Sequence, residues 1–189
     1  MIKLMAGLGN PGKEYAETRH NVGFWWSDAV ARHDQSTFHF ERRFHADVCA
    51  LQRQDGASWL IKPHTYVNRS GQAVAALAAY YKLTPQDIMV AHDDMDLPVG
   101  CVRFKEGGGH GGHNGLRDII RHIGDQFCRL RFGIGHPGSR ERVVSYVLES
   151  ARSVERQAIE LAIERTISVL PDLSGPGRSK AVQYLHTDV

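Results

Sequence analysis

A histidine and a carboxylate far apart in the chain, His20 and Asp93, and three asparagines, Asn10, Asn68 and Asn114, fall at the ends of apolar runs or in turn-rich segments. A histidine with an aspartate on its far ring nitrogen is a general base. The carboxylate fixes the tautomer and supports the imidazolium formed when a proton is taken from water. Asparagine carboxamides add a donor and an acceptor at fixed charge, suited to holding a water, a carbonyl or a ribose hydroxyl. The set suits hydrolysis of an activated carbonyl. No serine or cysteine stands in a G-x-S-x-G context, so direct attack by water is expected rather than a covalent intermediate.

Other chemistries are open at this point. Asp93, Asp94 and Asp96 beside His92 offer hard oxygens to a divalent cation, although strand alternation would splay neighbouring side chains apart. His110 and His113 have H-x-x-H spacing, but a helix-borne zinc pair is implausible among the glycines of EGGGHGGHNG. That loop reads as mobile: a gate, a close backbone approach to a ligand, or a flexible connection. GLGNPG, residues 7 to 12, fits the dinucleotide spacing G-x-G-x-x-G. Pro11, however, delays the helix that should face a pyrophosphate, and Asp34, at the distance of the ribose-binding acid, follows a helical pattern and no strand. The turn is expected to present Asn10, or to be a plain structural turn.

The elements that must position these residues alternate. Residues 2 to 8 read as a short buried strand and NVGFWWSDAVARH as a helix near 21 to 33. FHADVCALQ and ASWLIKP read as a hairpin turning at QDG. Ser70 is the expected N-cap of a helix ending near Leu83. DIMVAHDD, GCVRFK and RLRFGIG are strands, NGLRDIIRHIG is a helix, and RERVVSYVL begins the C-terminal helices, with an amphipathic one over about 152 to 170. The class is α/β: a single domain over 1–189, with a twisted, mixed but mostly parallel sheet and helices on both faces. In such sheets the site lies beyond the carboxyl ends of the strands.

A chain of 189 residues is long enough for one proper core, and a net charge of +2 announces no partner by itself. From Cys101 to Arg142, however, eight lysines and arginines oppose four acids, so this segment at +4 is more positive than the whole chain. That clustering marks either a phosphate-binding surface or a solvated helix face. Cys49, Cys101 and Cys128 suggest neither a disulfide framework nor a cysteine zinc site. No apolar run reaches the length of a membrane span, and the first is too short for a signal segment, so a soluble cytoplasmic protein is expected.

GLGNPGKEYAETRHNVG, KPHTYVNRSG, AHDDMDLPVG, FKEGGGHGGHNGLRDI and RLRFGIGHPG, in this order and spacing, resemble the bacterial-type peptidyl-tRNA hydrolases over about residues 2 to 148. The resemblance implies cleavage of the ester between a peptide and the 3′ ribose of tRNA, recycling tRNA from stalled translation, by a monomer without metal or other cofactor. On matching positions His20 would activate water and Asp93 would orient it. Asn10 would join them in catalysis, and Asn68 and Asn114, with Tyr15 and Tyr66, would bind substrate. Lys105 and Arg131 match a basic pair that holds the 5′-phosphate end of tRNA. Val67 departs from the methionine usual before the motif's asparagine, and GDQFCRLR is shorter than in the family pattern. A family-like domain serving only as an RNA-binding module, and a dinucleotide-dependent oxidoreductase, are the competing functions.

Overall fold

The structure, a computed structural model, describes residues 1–53 and 56–187. Seven strands form one sheet in the order β2-β3-β4-β1-β5-β7-β6. β1 (Leu4–Gly7) lies at its centre, buried throughout and parallel to β4 (Gly56–Pro63) on one side and β5 (Ile88–Asp94) on the other. A strand paired on both edges and covered on both faces must be apolar along its whole length, and LMAG and IMVA meet that demand. β7 (Cys128–Gly133) extends the parallel centre from β5. The margins are antiparallel: β6 (Val102–Glu106) on β7 at one edge, and β2 (His39–Glu41) and β3 (Ala46–Arg53) beyond β4 at the other. The hairpin joins β3 and β4 as expected, but its Gln54–Asp55 tip lies outside the described residues.

Alternation along β1 divides the core. Met5 joins the cluster formed with α1 (Val22–His33), α5 (Ser153–Ser168), α6 (Leu170–Ser174) and α7 (Arg178–His186). Leu4 and Ala6 join the cluster with α2 (Ser70–Tyr80) and α3 (Asn114–Ile123) on the other face. A short helix, α4 (Val143–Leu148), follows β7 after a 3-10 turn.

Two expectations about α2 are corrected. Ser70 is no N-cap: it is already helical, and its hydroxyl donates to the carbonyl of Val67 at 2.8 Å, across a 3-10 turn over Val67–Arg69. The helix stops at Tyr80. Lys82 then takes left-handed geometry (φ 55°), and the Leu83 amide bonds back to the Ala78 carbonyl at 2.8 Å, a helix-ending motif that usually uses glycine. The strand β2 has no counterpart in the sequence reading.

The glycines of the first turn have a packing reason. A Cβ on Gly7 would lie 2.1 Å from Ser27 Oγ and 2.2 Å from the Gly23 carbonyl oxygen, and one on Gly23 would lie 2.3 Å from the Leu8 nitrogen. The first strand and α1 therefore touch through their backbones, which brings the start of α1 over the strand end. Gly7→Ala is expected to cost about 2 kcal/mol by overpacking this contact, read as a lowered thermal midpoint; an unchanged midpoint would contradict the close approach.

Candidate active site

The residues following β1 and β5 meet at the start of α1. His20 sits in a 3-10 turn, Arg19–Asn21, directly before that helix. Behind it, Asn21 clamps the first turn: its Oδ1 accepts from the Asn10 amide at 2.8 Å and its Nδ2 donates to the Asn10 carbonyl at 3.0 Å. Asn10 is 5% exposed. Its Oδ1 accepts from the Val67 amide at 2.8 Å, so the carboxamide is oriented by backbone and its NH₂ is the group left for a ligand. Asn21 was not singled out in the sequence; its adjacency to His20 was the only signal.

β5 splays its acids as alternation requires. Asp93 is buried, with its Oδ1 2.8 Å from His20 Nδ1 and 3.0 Å from His113 Nε2. Asp94 turns outward, where its Oδ2 accepts from Arg131 Nε at 2.7 Å and its Oδ1 from the Asp96 amide at 2.9 Å. The three acids thus do not converge as a cation site.

His113 caps α3. Its Nδ1 accepts from the amides of Gly115 (3.1 Å) and Leu116 (3.3 Å), which puts the ring proton on Nε2, facing Asp93. Asp93 thus takes a hydrogen from each imidazole, and the His20 proton on Nδ1 leaves Nε2 as a free base. Burial works against the charge of Asp93, but the charges and hydrogen bonds of the two histidines prevail and hold its carboxyl well below the usual range. Burial also lowers the His20 pKa, yet the Asp93 charge and hydrogen bond outweigh it and raise it above 6.5. His92, on the opposite side of the strand, is pushed down to about 3 by burial first and by His113 second, and its Nδ1 lies 2.7 Å from the Asp93 carbonyl oxygen.

His20, Asp93 and His113 also bring three potential metal donors within 4.8 Å of one another. The tautomer of His113 does not fit that use. A metal on Nε2 would require a proton on Nδ1, against two amide donors.

A cleft of about 650 Å³ opens over this group. Asn68 and Asn114 line it, both exposed, together with Tyr15 and Tyr66, whose rings meet edge to face at 6.1 Å. Lys105 and Arg131 stand on the cationic side, and the apolar side chains of α4 on another. The nine residues expected to act in catalysis or in binding substrate and tRNA therefore border one space. The glycine loop, expected to be mobile, is clasped: buried Arg129 donates to the carbonyls of Gly108 and Gly109, and the Gly107 amide bonds to the Phe127 carbonyl at 3.0 Å. Arg129 and His113 escaped the sequence reading in these roles, since the cap-type residue at this helix start is Asn114, which is already helical.

A profile described as peptidyl-tRNA hydrolase matches residues 4–188. The chain belongs to the peptidyl-tRNA hydrolase family. A peptidyl-tRNA hydrolase of Neisseria meningitidis is 48% identical over 187 residues, covering 98% of this chain and 97% of that protein. One of Coxiella burnetii is 49% identical, with 98% of each chain covered. The crystal structure of the Acinetobacter baumannii peptidyl-tRNA hydrolase superposes with a TM-score of 0.95 at 44% identity, covering 98% of this chain and 95% of that one. Membership in this family leaves no role for the dinucleotide reading of GLGNPG, whose first two glycines, Gly7 and Gly9, lie against the start of α1. Val67, the departure from the motif, is buried and fixes Asn10 through its amide, a contact independent of its side chain.

The raised pKa of His20 sets a sign for the pH dependence. A base at His20 would have to be unprotonated on Nε2, so turnover is expected to fall as pH drops through the raised pKa, with an acid limb above the ordinary histidine value. Asp93→Asn removes the charge that raises it. The limb should move to lower pH and the plateau should fall by about 10²-fold or more. A limb that stays in place in a pH series of kcat/KM would show that it belongs to another group.

Proposed function

We propose that this protein hydrolyses the ester between peptide and tRNA in peptidyl-tRNA, with His20 as the base that activates water. The observation that carries the mechanism is the His20–Asp93 pair at 2.8 Å, opening into a cleft with the carboxamide of Asn10 at its floor. His20 Nε2 takes a proton from water as its oxygen attacks the ester carbonyl, and the imidazolium is supported by Asp93. Collapse of the tetrahedral intermediate breaks the bond to the 3′ ribose oxygen, which receives the proton back from His20. Asn10 offers its NH₂ to the water or to the developing oxyanion.

Asn68 and Asn114 hold the peptide backbone or the terminal adenosine, with Tyr15 and Tyr66 beside them. The apolar side chains of α4 meet the peptide. Lys105 and Arg131 meet tRNA phosphate, consistent with the +4 segment that contains them. Action as a monomer belongs to the same reading. Among the described residues no helix is long and apolar enough to cross a membrane. A substrate made in translation supports a cytoplasmic place of action, and the reaction needs no metal as written.

His20→Ala is expected to lower release of a blocked aminoacyl group from tRNA by about 10³-fold, with an unchanged circular-dichroism spectrum; near-normal turnover would remove His20 as the base. Lys105→Ala should raise KM and reduce the log–log salt slope by about 1. Equal slopes in both proteins would mean that the phosphates bind elsewhere.

A further inference from the structure

Arg19, the residue before His20, is 3% exposed. A guanidinium is seldom buried so deeply unless it is paired, and here the pairing joins distant segments. Its Nη2 lies 2.8 Å from Glu155 Oε2, the carboxylate that also accepts from the Arg152 amide at the start of α5. Its Nη1 donates to the carbonyls of Tyr146 (3.1 Å) and Glu149 (3.4 Å) at the end of α4. Its plane covers the Tyr146 ring at 4.2 Å, and the Tyr146 hydroxyl donates to the Ile134 carbonyl at 2.6 Å. Nε is buried and has no partner among the described residues, so part of the cost of burying the group is left uncompensated.

The backbones repeat the connection. The Arg19 amide bonds to the Glu149 carbonyl at 3.1 Å, the Ala151 amide to the Glu17 carbonyl at 3.2 Å, and Thr18 bridges Ser150 in antiparallel fashion. The turn that carries His20 is thus fastened to the segment leaving α4. None of the residues of α4 is fully buried, and Val144 is 69% exposed while lining the cleft. Tyr146 and Val147 of α4 pack, half-buried, against the core, and the polar ties that fasten the end of the helix run mostly to Arg19.

We infer that Arg19 is a positioning residue that sets the distance between the α4 wall and His20, so that a peptide resting on α4 presents its ester carbonyl to the base. This rests on the reading of α4 as the peptide-binding wall. A lysine keeps the charge but lacks the planar fork that reaches Glu155 and both carbonyls at once.

The test compares two substrates: tRNA carrying a single N-acetylated amino acid, and tRNA carrying a peptide of several apolar residues. Arg19→Lys should raise KM for the long substrate about tenfold, while kcat/KM for the short one changes by less than about threefold and keeps its acid limb. Glu155→Gln, which leaves the bonds to the carbonyls intact, should move the same ratio by a smaller factor, and it carries the test if Arg19→Lys does not fold. Val144→Ser should also raise KM selectively for the long substrate. Equal losses on both substrates in the Arg19 and Glu155 variants, with Val144→Ser still selective, would overturn the role of Arg19 alone. A Val144→Ser enzyme that treats both substrates alike would overturn the wall, and the inference with it.

Discussion

One carboxylate oxygen holds the site together. Asp93 Oδ1 receives the Nδ1 hydrogen of His20 and the Nε2 hydrogen of His113, and these three residues come from the turn before α1, the end of β5 and the cap of α3. Two donors on one buried oxygen keep the carboxyl ionised against the penalty of burial. That charge in turn makes His20 a stronger base than a free imidazole. Because His113 is locked in its tautomer by two backbone amides, it shares the carboxylate while its Nδ1 stays committed to the start of α3.

Around this centre the cleft is built from opposite chemistries. The amides of Asn10, Asn68 and Asn114 are neutral, so they can hold carbonyls and hydroxyls without shifting the charge balance that tunes His20. Cations lie beyond, on β6 and β7, and Arg131 is itself restrained by Asp94. Apolar side chains of α4 complete the wall. A substrate that is part peptide and part polyanion requires such a division, since an arginine under the peptide or a valine under a phosphate would each leave a group unmatched.

Much of this was legible in the sequence because the relevant signals are local. Continuous apolar runs ending in polar residues mark β1 and β5, and the ends of parallel strands locate the cleft, so His20, Asp93 and the asparagines are recognisable from their types and places. What escaped is set by contacts between distant segments. GLGNPG imitates a phosphate-binding loop, and only the backbone contact of Gly7 with Gly23 explains its first glycine. Ser70 has the composition of a cap, but a preceding 3-10 turn gives its hydroxyl another partner. The end of α2 uses Lys82 in a place where glycine is the readable signal. The clasp of Arg129 on the glycine loop and the ties of Arg19 to α4 join residues too far apart for any pattern of spacing to reveal.

The central claim is a pair of opposite tautomers on a shared oxygen, and ¹⁵N NMR of the histidine rings in the intact protein tests it most directly. Above the acid limb, His20 should carry its proton on Nδ1 with a bare Nε2, and His113 should carry its proton on Nε2. A His20 ring protonated on Nε2, or a His113 ring protonated on Nδ1, would contradict the account.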